Sequence, residues 1–249
     1  RTSHELKKIE VLDGKDLLYL LNRKALDDFK DKSLLASKVI RGTTQNDDVY
    51  FQNTEARNIK YDKMPDVVND YMQKINEITG KDYKPFNYYG DKNATKVIIA
   101  MGSVCETIKE VIDTKKKVGL IEVHLYRPFS SKYFLDVLPK SVKQVAVLDR
   151  TKEQGSFGPL YLDVSNVINK NRKNISVYGG IYGLSSKNTT PNDIEAVYNF
   201  LDKKPFDNFT LGIIDDVTNK SLERTNTKFN NGHDEILIYG YGSDGMVTT

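Results

Sequence analysis

The chain has 249 residues, with 37 Lys and Arg against 34 Asp and Glu for a net charge of +3, and is 39% hydrophobic and 29% charged. That length supports one large or two modest cores, the composition is that of a globular protein, and the interleaved charges exclude a broad nucleic-acid-binding face. No run reaches membrane-spanning length and no signal peptide opens the chain, so a soluble cytoplasmic protein is expected; one Cys excludes an intrachain disulfide and any Cys-ligated iron–sulfur or zinc site built from this chain alone.

Arg1 to Glu10 opens without an initiator Met, and the chain stops at Thr249 soon after a glycine-rich turn. Both ends therefore read as cuts through a longer protein. Lys15 to Lys30 carries Leu17, Leu18, Leu21, Ala25 and Phe29 at helical spacing, which predicts one helix. From Asp31 to Tyr61 the periodicity vanishes, and an extended interdomain strap that packs on a neighbour fits better than a regular element. Pro65 suits a first helical position, and the stripe Val67, Val68, Tyr71, Met72, Ile75, Ile78 ends at Gly80. Lys81 to Asn93 reads as a polar and aromatic linker.

Strand and helix patterns then alternate. Val97 to Ala100, Val118 to Val123, Gln144 to Leu148 and Ile175 to Tyr178 read as strands, with Thr210 to Ile214 as a further one. Helices are expected around Cys105 to Ile112, where Ser103 and Glu106 suggest a capping box, and around Tyr133 to Leu138 and Leu160 to Ile168. Another starts at Thr190-Pro191 and carries Ile194, Val197 and Leu201. Strands separated by helices of this size imply an α/β fold with a parallel sheet between helical layers. Near the end, Glu235 to Tyr239 reads as a strand.

Several groups invite chemistry. Gln144 to Leu148 passes abruptly into the charged run Asp149-Arg150-Thr151-Lys152-Glu153-Gln154, as at the carboxyl edge of a sheet where ligands dock, or at a plain solvated turn. Cys105 lies on an apolar stripe, which favours a structural role over a nucleophilic one. His4, His124 and His233 are too scattered for a metal triad or a Ser-His-Asp set, and no metal site is expected. Asp215-Asp216 would face opposite ways on a strand, so shared catalysis is not expected. Lys115-Lys116-Lys117 reads as a solvated turn. Gly240 to Gly245 matches G-x-G-x-x-G after a strand, either a tight turn or a phosphate-binding loop.

The string VLDRTKEQGSFGPLYLDV, together with RTSHELKKIE, VIIAMGSVCETI and GIIDDVT in that order, resembles the pyruvate:ferredoxin (flavodoxin) oxidoreductases over nearly the whole chain. The resemblance implies the end of a first domain at 1–30 and the strap and its helix at 31–92. It implies a domain similar to the carboxy-terminal domain of transketolases at 93–218, and a linker with the first strand of a third domain at 219–249. It makes the Asp215-Asp216 stretch an interface or capping element. It makes Gly242, Ser243, Asp244 and Gly245 candidates for holding coenzyme A, although Met246-Val247-Thr248-Thr249 departs from the family's continuation.

The parent enzyme is expected to decarboxylate pyruvate on thiamine diphosphate held through Mg2+, to pass electrons through [4Fe-4S] clusters to ferredoxin or flavodoxin, and to form acetyl-coenzyme A. The family's Gly-Asp-Gly thiamine diphosphate motif does not occur here, so this segment is expected to be a catalytically silent scaffold. Its partners would be other domains of the same polypeptide, in a homodimer. A different 2-oxoacid:ferredoxin oxidoreductase and a stand-alone coenzyme A or nucleotide binder are the alternatives.

Overall fold

The computed structural model describes residues 9, 11–33, 44–229 and 239. Seven strands among these form one sheet: β1 (Phe86–Gly90), β2 (Lys96–Ala100), β3 (Val118–Val123), β4 (Gln144–Asp149), β5 (Ser176–Ile181), β6 (Phe209–Leu211) and β7 (Ser221–Leu222). Their spatial order is β1-β3-β2-β4-β5-β6-β7. β1 runs antiparallel to β3, and every other neighbouring pair is parallel. The helices are α1 (Gly14–Leu20), α2 (Arg23–Asp31), α3 (Tyr50–Ala56), α4 (Asn58–Thr79), α5 (Val104–Ile112), α6 (Ser131–Val137), α7 (Pro159–Asn171) and α8 (Pro191–Leu201).

β2, β3 and β4 are nearly continuous apolar runs because both of their faces are covered. Alternate residues divide between two cores. Ile98, Leu120, Ala146 and Leu148 pack with α5 and α8 on one side, while Val97, Ile99, Ile121, Val145 and Val147 pack with α6 and α7 on the other. The result is the expected α/β fold, a mostly parallel sheet between two helical layers. α8 starts where Thr190 predicts it, with a capping box to Asp193 and Pro191 in the first turn. Gly80, at φ 68°, ends α4 as expected.

Several local expectations are corrected. The helix predicted from Lys15 to Lys30 is two helices, because Leu21 is extended and the Asn22 side chain caps α2 by accepting from the Ala25 N–H at 3.0 Å. Leu17, Leu18 and Phe29 are exposed, so no packed stripe holds the two in line. The strap is not extended throughout. α3 and the start of α4 occupy its second half, and α3 buries no side chain that would leave a periodic signal. Arg41-Gly42-Thr43 lies outside the described residues. Pro65 sits inside α4, where its ring lacks the N–H that would reach the Tyr61 carbonyl, and its burial holds it there.

The linker at 81–93 contains β1, whose Phe86 is fully buried and whose Tyr88 and Tyr89 are strong strand formers. Ser103 has helical backbone angles and makes no capping bond, and Glu106 pairs instead with Lys109 at 3.2 Å. The strand predicted from Thr210 to Ile214 ends at Leu211, because Gly212 at φ 82° turns the chain and leaves Ile213 and Ile214 exposed.

Candidate functional site

The chain leaves β2 toward β3 on one side and leaves β4 toward β5 on the other, which makes the β2–β4 boundary a topological switch point. In such sheets ligands occupy the crevice outside the carboxyl ends of the strands. Here the crevice is flanked by Met101-Gly102-Ser103 and by 150–158, the apolar-to-charged junction that stands out in the sequence.

Asp149 ends β4 with its side chain buried. α7 begins at Gly158-Pro159, where Gly158 has no side chain to act as a cap and Pro159 has no N–H. The Asp149 carboxylate fills the gap, accepting from the Leu160 N–H at 3.0 Å and the Tyr161 N–H at 3.1 Å. A Cβ on Gly158 would lie 2.2 Å from Asp149 Oδ2, so only glycine permits this approach. Burial holds the Asp149 carboxyl above its ordinary value, partly offset by the two N–H donors. Beside it, Arg150 Nε donates to the Gly183 carbonyl at 3.0 Å, tying this loop to the one after β5. That neighbouring loop is conformationally unusual, with Gly183, Ser185 and Ser186 all at positive φ.

The other candidates are not brought together. Cys105 is buried among the apolar side chains of α5, and burial, with the Glu122 charge adding, pushes its thiol up to about 12. A neutral buried thiol is a poor nucleophile. His124 Nδ1 lies 3.0 Å from the Lys84 carbonyl, and its ring meets Tyr83 edge-on. Lys115 pairs with Glu195 at 2.9 Å, which makes it part of a packed joint rather than a free basic triplet.

Asp215 is exposed, whereas Asp216 accepts from the Thr218 N–H and hydroxyl at 2.9 and 2.7 Å and from the Lys220 and Ser221 N–H groups at 2.6 Å each. Asp216 thus caps the turn leading into β7. These hydrogen bonds, the Thr218 hydroxyl foremost, hold its carboxyl down at about 2. The same turn walls an open cleft of about 530 Å³ lined by Gly212, Ile213, Ser221, Leu222 and Arg224.

One joint has no signal in the sequence. Asp66 on α4 accepts from the Tyr133 hydroxyl at 2.7 Å and Lys132 Nζ at 3.0 Å on α6, and the Tyr133 bond leads in holding its carboxyl below the usual range. The partners are more than sixty positions apart and no periodicity links them. Gly242, Ser243, Asp244 and Gly245 lie outside the described residues, as does all but Tyr239 of the strand expected from Glu235 to Tyr239. Among the described residues no group of three or more His, Cys, Asp and Glu could hold a metal ion, and no helix is long and apolar enough to cross a membrane. The described edge is built from caps and inter-loop ties, with no nucleophile and base placed side by side.

Residues 94–194, which span β2 to the start of α8, match the family model of the pyruvate:ferredoxin oxidoreductase core domain II. The chain is 50% identical to the pyruvate-flavodoxin oxidoreductase of Klebsiella pneumoniae, across 99% of this chain and 22% of that protein. It is 45% identical to the pyruvate:ferredoxin oxidoreductase of Moorella thermoacetica over the same shares. It is 42% identical to the mitochondrial NADP(+) pyruvate dehydrogenase of Euglena gracilis, across 99% of this chain and 14% of that protein. A solved 2-oxoglutarate:ferredoxin oxidoreductase from Magnetococcus marinus overlays with a TM-score of 0.37 and 19% identity, over 67% of this chain and 26% of that one. The family model thus matches 94–194, and the chain as a whole spans about 22% of the length of the bacterial pyruvate oxidoreductases to which it is similar.

Proposed function

We propose that this chain is the scaffold segment of a pyruvate:ferredoxin or pyruvate:flavodoxin oxidoreductase. The observation that carries the reading is 50% identity over an alignment that covers 99% of the chain. In this reading the parent enzyme oxidatively decarboxylates pyruvate to acetyl-coenzyme A. Thiamine diphosphate, Mg2+ and [4Fe-4S] clusters ride on parts of the polypeptide outside these residues. The single Cys supports that division of labour, since four thiolates are the usual ligand set for such a cluster.

The fourfold division into 1–30, 31–92, 93–218 and 219–249 goes with the proposal, the sheet of the 93–218 domain being joined by β1 and β7 from either side. So do its likeness to the carboxy-terminal domain of transketolases, contact with other domains of the same polypeptide, a homodimer, a cytoplasmic location, and Gly242, Ser243, Asp244 and Gly245 as the coenzyme A segment.

The test has two arms. The native polypeptide, purified from its source and sized by mass spectrometry, is expected to be several times longer than 249 residues and to reduce a viologen dye only when both pyruvate and coenzyme A are present. The 249-residue chain alone is expected to reduce none. A native polypeptide that fails with pyruvate but turns over another 2-oxoacid moves the assignment to that substrate, and one ending at Thr249 sinks the oxidoreductase reading. Titrating the 249-residue chain with coenzyme A then tests for a stand-alone binding module, which saturable binding would support.

A further inference from the structure

β7 has two residues, too few to hold an edge by ladder bonds alone, and the chain that follows it forms no further element as far as Phe229. Yet 224–229 is tied to one face of α8 by consecutive polar contacts. Asn192 Nδ2 donates to the Thr225 carbonyl at 2.6 Å and to the Thr227 carbonyl at 3.0 Å. Arg224 Nε donates to the buried Asp193 at 2.6 Å, and Asp193 also caps α8 through Thr190. Glu195 accepts from the Thr225 hydroxyl at 2.6 Å and from the Thr227 hydroxyl, while Lys115, from the turn after α5, closes on its other oxygen at 2.9 Å. Phe229 completes the contact by packing on the core beneath α8.

The composition of this face is informative. Helices covered by a sheet normally turn polar residues to water, but Asp193 and Glu195 are both buried here. A buried carboxylate is costly unless it is fully paired, and both are paired by the same departing segment. Burial alone would raise the Glu195 carboxyl, but the bonds from Thr225, Thr227 and Lys115 outweigh it and hold it below its usual value. A segment that merely crossed the surface would leave Asp193 with only its capping bonds from Thr190, and Glu195 with only Lys115.

We infer that 224–229 is a latch: α8, rather than the sheet, anchors the chain after β7, and the latch holds β7 and the adjoining cleft wall in place. This role does not depend on the oxidoreductase reading, because it concerns the mechanics of the fold alone.

Limited trypsinolysis of the 249-residue chain tests it, since cutting after Arg224 and Lys228 requires the segment to lift off, and cleavage then follows the population of the open form. Cutting after Lys152, in an exposed loop, serves as the internal reference. The wild-type chain should be cut after Arg224 at least about tenfold more slowly than after Lys152. Asn192→Ala, which removes bonds to two backbone carbonyls, and Glu195→Ala, which removes the acceptor of two hydroxyl bonds, should each raise the Arg224 rate about tenfold while leaving the Lys152 rate unchanged. Should either substitution cost the fold, as judged by far-ultraviolet circular dichroism, Thr227→Val on the segment itself is expected to give the same acceleration. Equal wild-type rates at Arg224 and Lys152, or substituted chains cut at the wild-type rate, would overturn the latch.

Discussion

α2 and α5 are both nine-residue helices with their apolar residues gathered on one side, yet they end in opposite circumstances. α5 buries Val104, Cys105, Ile108, Val111 and Ile112 against β2 and β3, whereas α2 buries nothing. The difference extends to the regions around them. Exposed large apolar side chains crowd the segments upstream of the sheet, among them Leu17, Leu18, Phe29, Tyr50, Phe51 and Ile59, while the helices on the sheet turn theirs inward. A periodic sequence creates a face, and only a partner layer turns that face into stability. Within the described residues the sheet is that partner for α5, α7 and α8.

The contrast makes its largest prediction in the cores. Phe134 on α6 is fully buried and meets Phe86 and Phe129 at ring distances of 5.6 and 5.5 Å. Phe134→Ala should cost about 3–5 kcal/mol, while Phe29→Ala on α2 should fall within about 0.5 kcal/mol. Urea unfolding of the 249-residue chain measures both. A Phe29→Ala cost of about 2 kcal/mol or more would break the comparison, because it would mean that α2 is packed in solution.

The next effect is at the junction of β4 and α7. Asp149→Ala removes a buried carboxylate from two N–H donors and should cost about 2 kcal/mol. Gly158→Ala attacks the same bond from the other side by pushing a Cβ into the carboxylate. The two costs should therefore combine to clearly less than their sum. Additive losses in a double-mutant cycle would show that Asp149 and Gly158 act independently.

How much of this could be read from the sequence follows the same divide. β2, β3 and β4 were legible because burial on both faces writes a continuous apolar run, and α8 because Thr190, Pro191 and Asp193 write its start. α3 and the upstream half of α4 were illegible because no side chain of theirs but Pro65 is buried, which leaves no period. β1 was hidden by its polar neighbours, and its edge position relaxes the demand for apolar alternation on the exposed side. At the candidate site the sequence located the junction at Asp149 and Arg150, but not the role of either residue. A strand carboxylate capping a helix ten positions later, and an arginine tied to the Gly183 carbonyl, are long-range facts with no local signature.

A smaller effect tests α2 alone. Asn22 caps α2 by side chain only, so Asn22→Ala should weaken that helix by about 1 kcal/mol. Because α2 buries nothing, the loss should appear as faster hydrogen exchange across 25–31, with the global unfolding midpoint unmoved. A shift of the whole transition would mean that α2 is coupled to the sheet.

Acid separates the two carboxylates of the sheet's carboxyl edge and gives the most local test. Asp216 is held at about 2 against an ordinary 3.8, so its lock on 218–221 is fully present above the ordinary value and is lost as pH falls through the folded one. Asp149 runs the other way. Its folded value is raised, so ionisation opposes the fold, and stability declines as pH rises from below the ordinary value through the folded one. Following the Thr218 and Ser221 amide shifts from pH 6 downward should therefore give a midpoint near 2 for the turn. The Leu160 and Tyr161 amides should instead titrate above 3.8. Asp216→Asn should abolish the first transition and leave the second. A shared midpoint near 4 for both pairs would mean that neither carboxylate is held as its hydrogen bonds and burial require.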